Sequence, residues 1–467
     1  MPGPKTWQLT AGAAAVGLAL AAGAVAMAGP WDSGQRTAER DRAASREARG
    51  GAHHQHPAAP GAPAPAPSAP SVLAALRAAA AAPVPAALPS ALDQLLGDPA
   101  LGPLPAASVL DAATGRELYA VRADAAMTPA STVKIATATA VLTALPPDHR
   151  FATTVVAAPA DGTALTLVGG GDPTLDKARL AALADDTARA LRARSIGHVQ
   201  LAYDISLFSG PTVHPIGANE NLAPVVALMT DEGRTDSSDS GPAARTSDPA
   251  GDTARAFAEL LRARGVQADA PVQGAAPAGA ERVAGTLSAP LPEIVERMLT
   301  NSDNDIAEAL NRATAIATGR PASFDGGAEA LPAQLTKLQL PLNGAVFADG
   351  SGLNRVDKVT AGLLTRLLAK AADPARPELR PIITGLPVAG FTGTLSGRYG
   401  TASAATGLVR AKTGTLSGAG VNTLAGTVVD ASGHLLAFAF LSTGTPGADP
   451  APVQKALDRL ATRLTEH

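Results

Sequence analysis

The first 70 residues of this 467-residue chain cannot build a core, so any fold must come from residue 71 onward. Lys5 precedes an uncharged run from Thr6 to Trp31, and Asp32 is the first acid. The centre of the run, Ala11 to Ala28, is almost wholly Ala, Val, Leu, Gly and Met. A charge followed by such a run is an export-type segment, and two readings stay open. Ala26-Met27-Ala28 offers a signal-cleavage site before Gly29. The run is also close to the ~20 residues that span a bilayer, with Trp7 and Trp31 at its two ends, where interfacial tryptophans belong. Either reading puts the rest of the chain outside the cytoplasm. Residues 32 to 70 mix charged residues with Ala, pass through His53, His54 and His56, and end in alternating Ala and Pro. Such a stretch reads as an extended, solvated spacer, with the histidines part of the linker rather than a metal site.

Beyond residue 70 the pattern becomes that of a folded protein. A helix is expected over Val72 to Ala81, then strands over Ala106 to Leu110 and Arg116 to Val121 around an Asp111–Gly115 turn. An apolar helix comes next, from Ser131 to Leu145. From 150 to 290 the character changes: short strands (Thr153 to Ala157, Ala164 to Val168, His198 to Tyr203), a polar loop over Glu232 to Gly251, and a helix from Asp252 to Arg264. Helices are then expected over Pro292 to Thr300, Asn304 to Ala317 and Ala361 to Ala371. Strands over Val409 to Lys412, Gly420 to Val429 and Leu435 to Leu441 precede a last helix, Ala451 to Leu464. Strands at both ends with helices between imply one α/β domain interrupted by an insertion. The expected divisions are 1–31 (signal or anchor), 32–70 (linker), 71–149 and 291–467 (the interrupted domain), and 150–290 (the insertion).

Three short motifs carry chemistry. Ser131-Thr132-Val133-Lys134 places a hydroxyl and an amine on one face of a helix start, one turn apart. The helix N-terminus favours a developing oxyanion, and a lysine with a lowered pKa can act as a base. Ser302-Asp303-Asn304 reads, taken singly, first as an N-cap for the helix beginning there and second as a hydroxyl and amide facing a substrate. Lys412-Thr413-Gly414-Thr415 lies on a strand, so Thr413 and Thr415 share a face and with Lys412 suit a carboxylate, while Gly414 leaves room for a substrate backbone. Each motif alone is weak. Their order and spacing, Ser131 to Ser302 to Lys412, form the SxxK, SxN, KTG set of serine acyl-transferases. Arginine cannot give up its proton. The chain has 30 Arg but only 8 Lys, and two of the eight fall in these motifs.

Composition removes other classes. A net charge of -3 provides no field for nucleic acid. The absence of cysteine excludes disulfides, thiol catalysis, zinc-thiolate sites and a lipid-modified cysteine anchor.

The sequence resembles the D-alanyl-D-alanine carboxypeptidase/endopeptidase (DacB-type) family, the class C low-molecular-mass penicillin-binding proteins. Beyond the triad, residues 167–175 (LVGGGDPTL), 203–211 (YDISLFSGP), 302–310 (SDNDIAEAL), 349–353 (DGSGL) and 390–399 (GFTGTLSGRY) carry the likeness. The glycine run at 169–171 is not a dinucleotide loop, since no helix follows it in the required place. The resemblance implies a serine β-lactamase/transpeptidase-like domain, an antiparallel sheet flanked by helices, with an inserted smaller β-rich α+β domain. It implies Ser131 as nucleophile, Lys134 as base, Ser302 with Lys412 as proton relay, and Asn304 orienting the peptide. Thr413, Gly414 and Thr415 would bind the terminal carboxylate, with backbone N–H groups of Ser131 and Thr415 as oxyanion hole. Peptidoglycan peptides would be substrates and β-lactams inhibitors, with no metal or cofactor. The segment between SxxK and SxN is short for the family, and Asn354 stands where a serine is usual. Two rivals differ in class. A β-lactamase needs a deacylating carboxylate of the ExxLN kind, and Glu308-Ala309-Leu310-Asn311 is one residue too short. A non-catalytic wall-binding or β-lactam-sensing protein would not need the intact Ser131/Lys134 pair.

Overall fold

The computed structural model describes residues 87–466, apart from 160, 161, 401, 446 and 448. The export segment, the spacer and the helix expected over Val72 to Ala81 lie outside the described residues.

The elements run in chain order as α1 (Ala87–Leu96), β1 (Ala106–Asp111), β2 (Glu117–Val121), α2 (Lys134–Ala144), β3 (Ala152–Ala157), β4 (Ala164–Val168), α3 (Lys177–Ala193) and β5 (His198–Asp204). Next come α4 (Pro249–Ala263), the two-residue strands β6 (Gln267–Ala268) and β7 (Val272–Gln273), β8 (Glu281–Leu287), α5 (Leu291–Asn301), α6 (Asn304–Ala317) and α7 (Phe324–Lys337). The chain continues through α8 (Ala361–Ala372), α9 (Arg380–Thr384), β9 (Arg410–Leu416), β10 (Val421–Val429), β11 (Leu435–Ser442) and α10 (Ala451–Arg463).

Chain ends and chain middle make separate sheets. The first is antiparallel throughout, in the order β2-β1-β11-β10-β9. Side chains alternate across a strand, so a sheet covered on both faces reads as continuously apolar. In β11, Ala437, Ala439 and Leu441 pack into the cluster built by α2, α5, α6, α7 and α8. Leu436, Phe438 and Phe440 face the other way, onto α1 and α10. Small residues on the first of these faces let α8 lie close to the sheet. Ser108, on the small-residue face of β1, meets Thr365 of α8 through a 2.9 Å hydroxyl pair.

The second sheet has the order β6-β5-β4-β3-β8, with β7 also on β5. It contains a β4-α3-β5 crossover that makes β4 and β5 parallel. Its own core comes from Leu165, Leu167, Leu180, Leu183, Phe257 and Leu261. The glycine run after β4 meets backbone rather than ligand. A Cβ on Gly170 would lie 1.8 Å from the Ala152 carbonyl oxygen, and one on Gly169 2.5 Å from that of Ala227.

Four helices escaped the sequence reading: α1, α3, α7 and the short α9. In α7, Gly326, Gly327 and Pro332 read as breakers. The glycines are there for contact, since a Cβ on Gly327 would sit 2.4 Å from Asn311 of α6. Helix α4 starts at Pro249 rather than Asp252, because Asp248 caps it and proline is at home at the first helical position.

Candidate active site

Ser131 sits in a 3₁₀ turn, Ala130–Val133, and the α-helix proper begins at Lys134. Sequence placed the serine at the helix start; it lies one turn earlier, and its side chain caps nothing. The turn is held in a costly shape. Ala130 has φ +47°, where a non-glycine residue pays about 1–3 kcal/mol. What holds it is the Pro129 carbonyl, which accepts from the Thr132 hydroxyl at 2.7 Å and from the Thr423 hydroxyl of β10 at 2.8 Å.

Strand β9 presses against this turn. A Cβ on Gly414 would lie 2.1 Å from the Thr423 hydroxyl and 2.6 Å from the Pro129 carbonyl oxygen. Room for substrate was the reason sequence gave for this glycine. The structure gives another: Gly414 lets the KTG strand lie on the SxxK turn.

The SDN motif resolves both of its readings at once. Asp303 is the cap, its carboxylate accepting from the Ile306 N–H at 2.9 Å. Ser302 ends α5 in the left-handed region (φ 59°, ψ 38°). With Asp303 capping, the side chains of Ser302 and Asn304 are left to line the cleft.

Lys134 joins the motifs. Its ammonium has three N–H groups and three acceptors: Ser131 Oγ at 3.0 Å, Asn304 Oδ1 at 2.7 Å and the Ser351 carbonyl at 2.7 Å. The side chain is fully buried, and that burial lowers its pKa to about 8, against the opposing pull of Asp349, Asp303, Glu308 and Asp357. Lys412 is also fully buried. Desolvation, and then the charge of Lys134, push its pKa well below the ordinary lysine range. Its Nζ donates to the Thr413 carbonyl at 2.9 Å.

Ser131, Ser302, Asn304, Thr413 and Thr415 line one cleft of about 340 Å³. Lys134, Lys412 and Gly414 are buried next to these residues in the chain. The sequence reading missed several other lining residues. Thr394 pairs its hydroxyl with that of Thr413 at 2.8 Å. Asn221 gives its carbonyl to Asn304 Nδ2 at 2.9 Å. Arg398, also lining, is held by Asp458 of α10. Thr394 and Arg398 lie inside the GFTGTLSGRY segment, whereas Asn221 lies in irregular chain with no signal to mark it.

Charge beside the cleft is balanced internally. Arg234, Arg245 and Arg297 pair with Glu232 and Asp305. Burial and the neighbouring Asp303 carboxylate push Glu232 up to about 9 and Asp305 up to about 7. Glu232, Asp303 and Asp305 bring carboxylate oxygens within 4.8 Å of one another, with arginines on Glu232 and Asp305 and the cap bond on Oδ1 of Asp303.

An antiparallel sheet whose edge strand lies over a buried, three-way-bonded lysine defines an active-site serine hydrolase of the transpeptidase-like fold. Penicillin-binding protein 4 (dacB) from Haemophilus influenzae has this fold, with a TM-score of 0.69 at 24% identity, covering 81% of this chain and 99% of that one. A predatory peptidoglycan endopeptidase from Bdellovibrio bacteriovorus aligns with a TM-score of 0.52 at 19% identity over 77% of this chain and 92% of its own. The sequence profile of the D-Ala-D-Ala carboxypeptidase 3 (S13) family matches residues 88–240 and 235–464. A carboxypeptidase of Mycobacterium tuberculosis is 37% identical over 404 residues, 82% of this chain and 85% of that protein. Carboxypeptidase DacB of Mycolicibacterium smegmatis is 38% identical over 395 residues, 81% and 83% of the two chains. The chain belongs to the D-Ala-D-Ala carboxypeptidase 3 (S13) family, and is a serine-type peptidoglycan DD-peptidase that acts outside the cytoplasm.

Proposed function

We propose that the reaction runs through an acyl-enzyme on Ser131. The observation that carries this is the Lys134 ammonium, bonded to Ser131 Oγ at 3.0 Å with its pKa brought to about 8. The neutral lysine takes the serine proton as Oγ attacks the carbonyl between two D-alanines. Backbone N–H groups of Ser131 and Thr415 receive the oxyanion. Ser302, with Lys412 close by, passes the proton to the leaving amine. Asn304 orients the peptide, Thr413 and Thr415 hold the terminal carboxylate, and water then releases the acyl group. A β-lactam enters by the same attack and stays on Ser131.

Ser131→Ala in the full chain is expected to abolish both D-alanine release from a D-Ala-D-Ala peptide and labelling by fluorescent penicillin. Activity or labelling that survives would sink the assignment. The β-lactamase alternative would call on Glu308 as its base. Glu308 is fully buried, with Oε1 accepting from the Gly350 and Ser351 N–H groups at 3.1 and 2.9 Å. Slow rather than fast nitrocefin turnover is the corresponding expectation.

The proposed layout keeps 71–149 and 291–467 as one catalytic domain and 150–290 as an insertion, with 32–70 a spacer. Residues 1–31 would carry the catalytic part out of the cytoplasm, as a cleaved signal or a membrane anchor. Among the described residues no helix is long and apolar enough to cross a membrane.

A further inference from the structure

We propose that His214, from the irregular segment between β5 and α4, is a positioning residue for Lys134. It holds Asp349, and through it the 350–352 turn whose Ser351 carbonyl receives the lysine. The inference rests on the reading of Lys134 as the base.

The partners of the His214 ring define its tautomer. Nδ1 accepts from the Ile216 N–H at 3.3 Å, so the neutral ring carries its proton on Nε2. That proton goes to Asp349 Oδ2 at 2.9 Å, across 135 residues of chain. The ring meets Phe324 edge-on at 5.2 Å, and both His214 and Asp349 are buried. Glu308 completes a trio whose ligand-type atoms lie within 4.8 Å of one another. It is not a cation site in this state, because both ring nitrogens are already engaged.

Asp349 gathers the turn. Oδ1 accepts from the Ser351 and Gly352 N–H groups at 3.1 and 2.6 Å, and Oδ2 from the Asn354 N–H at 2.7 Å. Glu308 accepts from the Gly350 and Ser351 N–H groups from the other side, and the Thr137 hydroxyl of α2 donates to the Gly350 carbonyl at 2.7 Å. Gly352 lies flat on the SxxK turn: a Cβ there would be 2.0 Å from the Ala130 carbonyl oxygen. The Ser351 carbonyl then has little choice of direction, and Lys134 Nζ meets it at 2.7 Å.

Charge reinforces the geometry. Burial acts to raise the Asp349 carboxyl, but hydrogen bonds from His214 and Asp357 bring it down to about 2. Among the charges facing Lys134, Asp349, Asp303, Glu308 and Asp357 favour its ammonium, while Lys412 beside it has its own pKa depressed by burial and then by the charge of Lys134. Around His214 the charged groups are Asp349 and Glu308, with Arg312 acting on Glu308. Without the His214 donor Asp349 stays ionised near pH 8, but the turn it gathers loosens; the Lys134 ammonium then loses the fixed Ser351 carbonyl as an acceptor, and the lysine loses its proton at lower pH.

The test measures, on the full chain, the second-order rate constant for acylation by a fluorescent penicillin as a function of pH. His214→Phe keeps the ring and loses the donor. His214→Asn is too short to reach Asp349, and it carries the test if the Phe variant does not fold. Both are expected to move the rising limb about half a unit or more towards acid and to lower the plateau about tenfold. His214→Gln, whose Nε2 can replace the ring N–H, is expected to restore both. A wild-type limb in the folded Phe or Asn variant overturns the inference, even if the melting temperature falls. So does a Gln variant that behaves like Phe. If Lys134→Met acylated at the wild-type rate, the base assignment itself would fail, whatever the His214 series shows.

Discussion

In the proposed mechanism Ser131 and Lys134 set the pH dependence of acylation. The base must be neutral to act, and burial brings its pKa from 10.5 to about 8. Acylation is therefore expected to rise with pH through about 8 and level off above it, which a stopped-flow penicillin series would show. The same shift has a stability sign. The folded pKa lies below the unfolded one, so the buried ammonium penalises folding most below pH 8. Stability contributed by this group should rise between about 8 and 10.5, where only the unfolded chain still binds the proton. Gly414 gives a second residue-scale expectation. Gly414→Ala puts a methyl 2.1 Å from the Thr423 hydroxyl and forces β9 off the serine turn. We expect acylation to fall by about 100-fold or more, alongside a lower melting temperature. The candidate residues that line the cleft could be picked out because SxxK, SxN and KTG are fixed spacings of reactive types. The reason for Gly414 could not, because its neighbours, Pro129 and Thr423, are far away in sequence.

Helix ends, more than helix bodies, arrange the cleft. Asp303 caps α6 while its two neighbours face the cleft, so one residue serves structure and frees two for chemistry. Asp303→Ala removes that cap and should cost about 1 kcal/mol, read as a lower melting temperature. It should also slow acylation more than the stability loss alone explains, since Ser302 in its left-handed conformation and Asn304 flank the lost anchor. The strands of the first sheet were legible as apolar runs, and β4 was placed residue for residue. Helix α7 was not, since Gly326, Gly327 and Pro332 signal a break in any local reading. Tertiary contact decides there: the glycines fit against Pro321 and Asn311. Helix α3 sits inside a region whose short strands and turns suggested mostly β structure, and its parallel crossover is not visible in strand patterns alone.

At the scale of the molecule, the catalytic sheet needs the described chain from its first helix onward. Leu88, Leu92 and Leu96 of α1 are buried against the Phe438 and Phe440 face. A chain starting at residue 71 is expected to stay soluble and to acylate normally. One starting at residue 98 loses three buried leucines at about 2 kcal/mol each and should melt far lower or not fold. Thermal melts and penicillin labelling of the two truncations distinguish these outcomes. The change of pattern after 150 falls where the strands pass from the first sheet to the second. The reach of the intervening chain into the cleft was not legible, because Asn221 and His214 lie in stretches without periodicity. The Asn221 carbonyl on Asn304 has a consequence for affinity. With Oδ1 on Lys134 and one Nδ2 proton on Asn221, the carboxamide can neither flip nor swing. Its second Nδ2 proton is the one left for a guest. The rotational entropy of that side chain, about 1 kcal/mol, was surrendered when the chain folded, so an arriving peptide does not have to freeze it again.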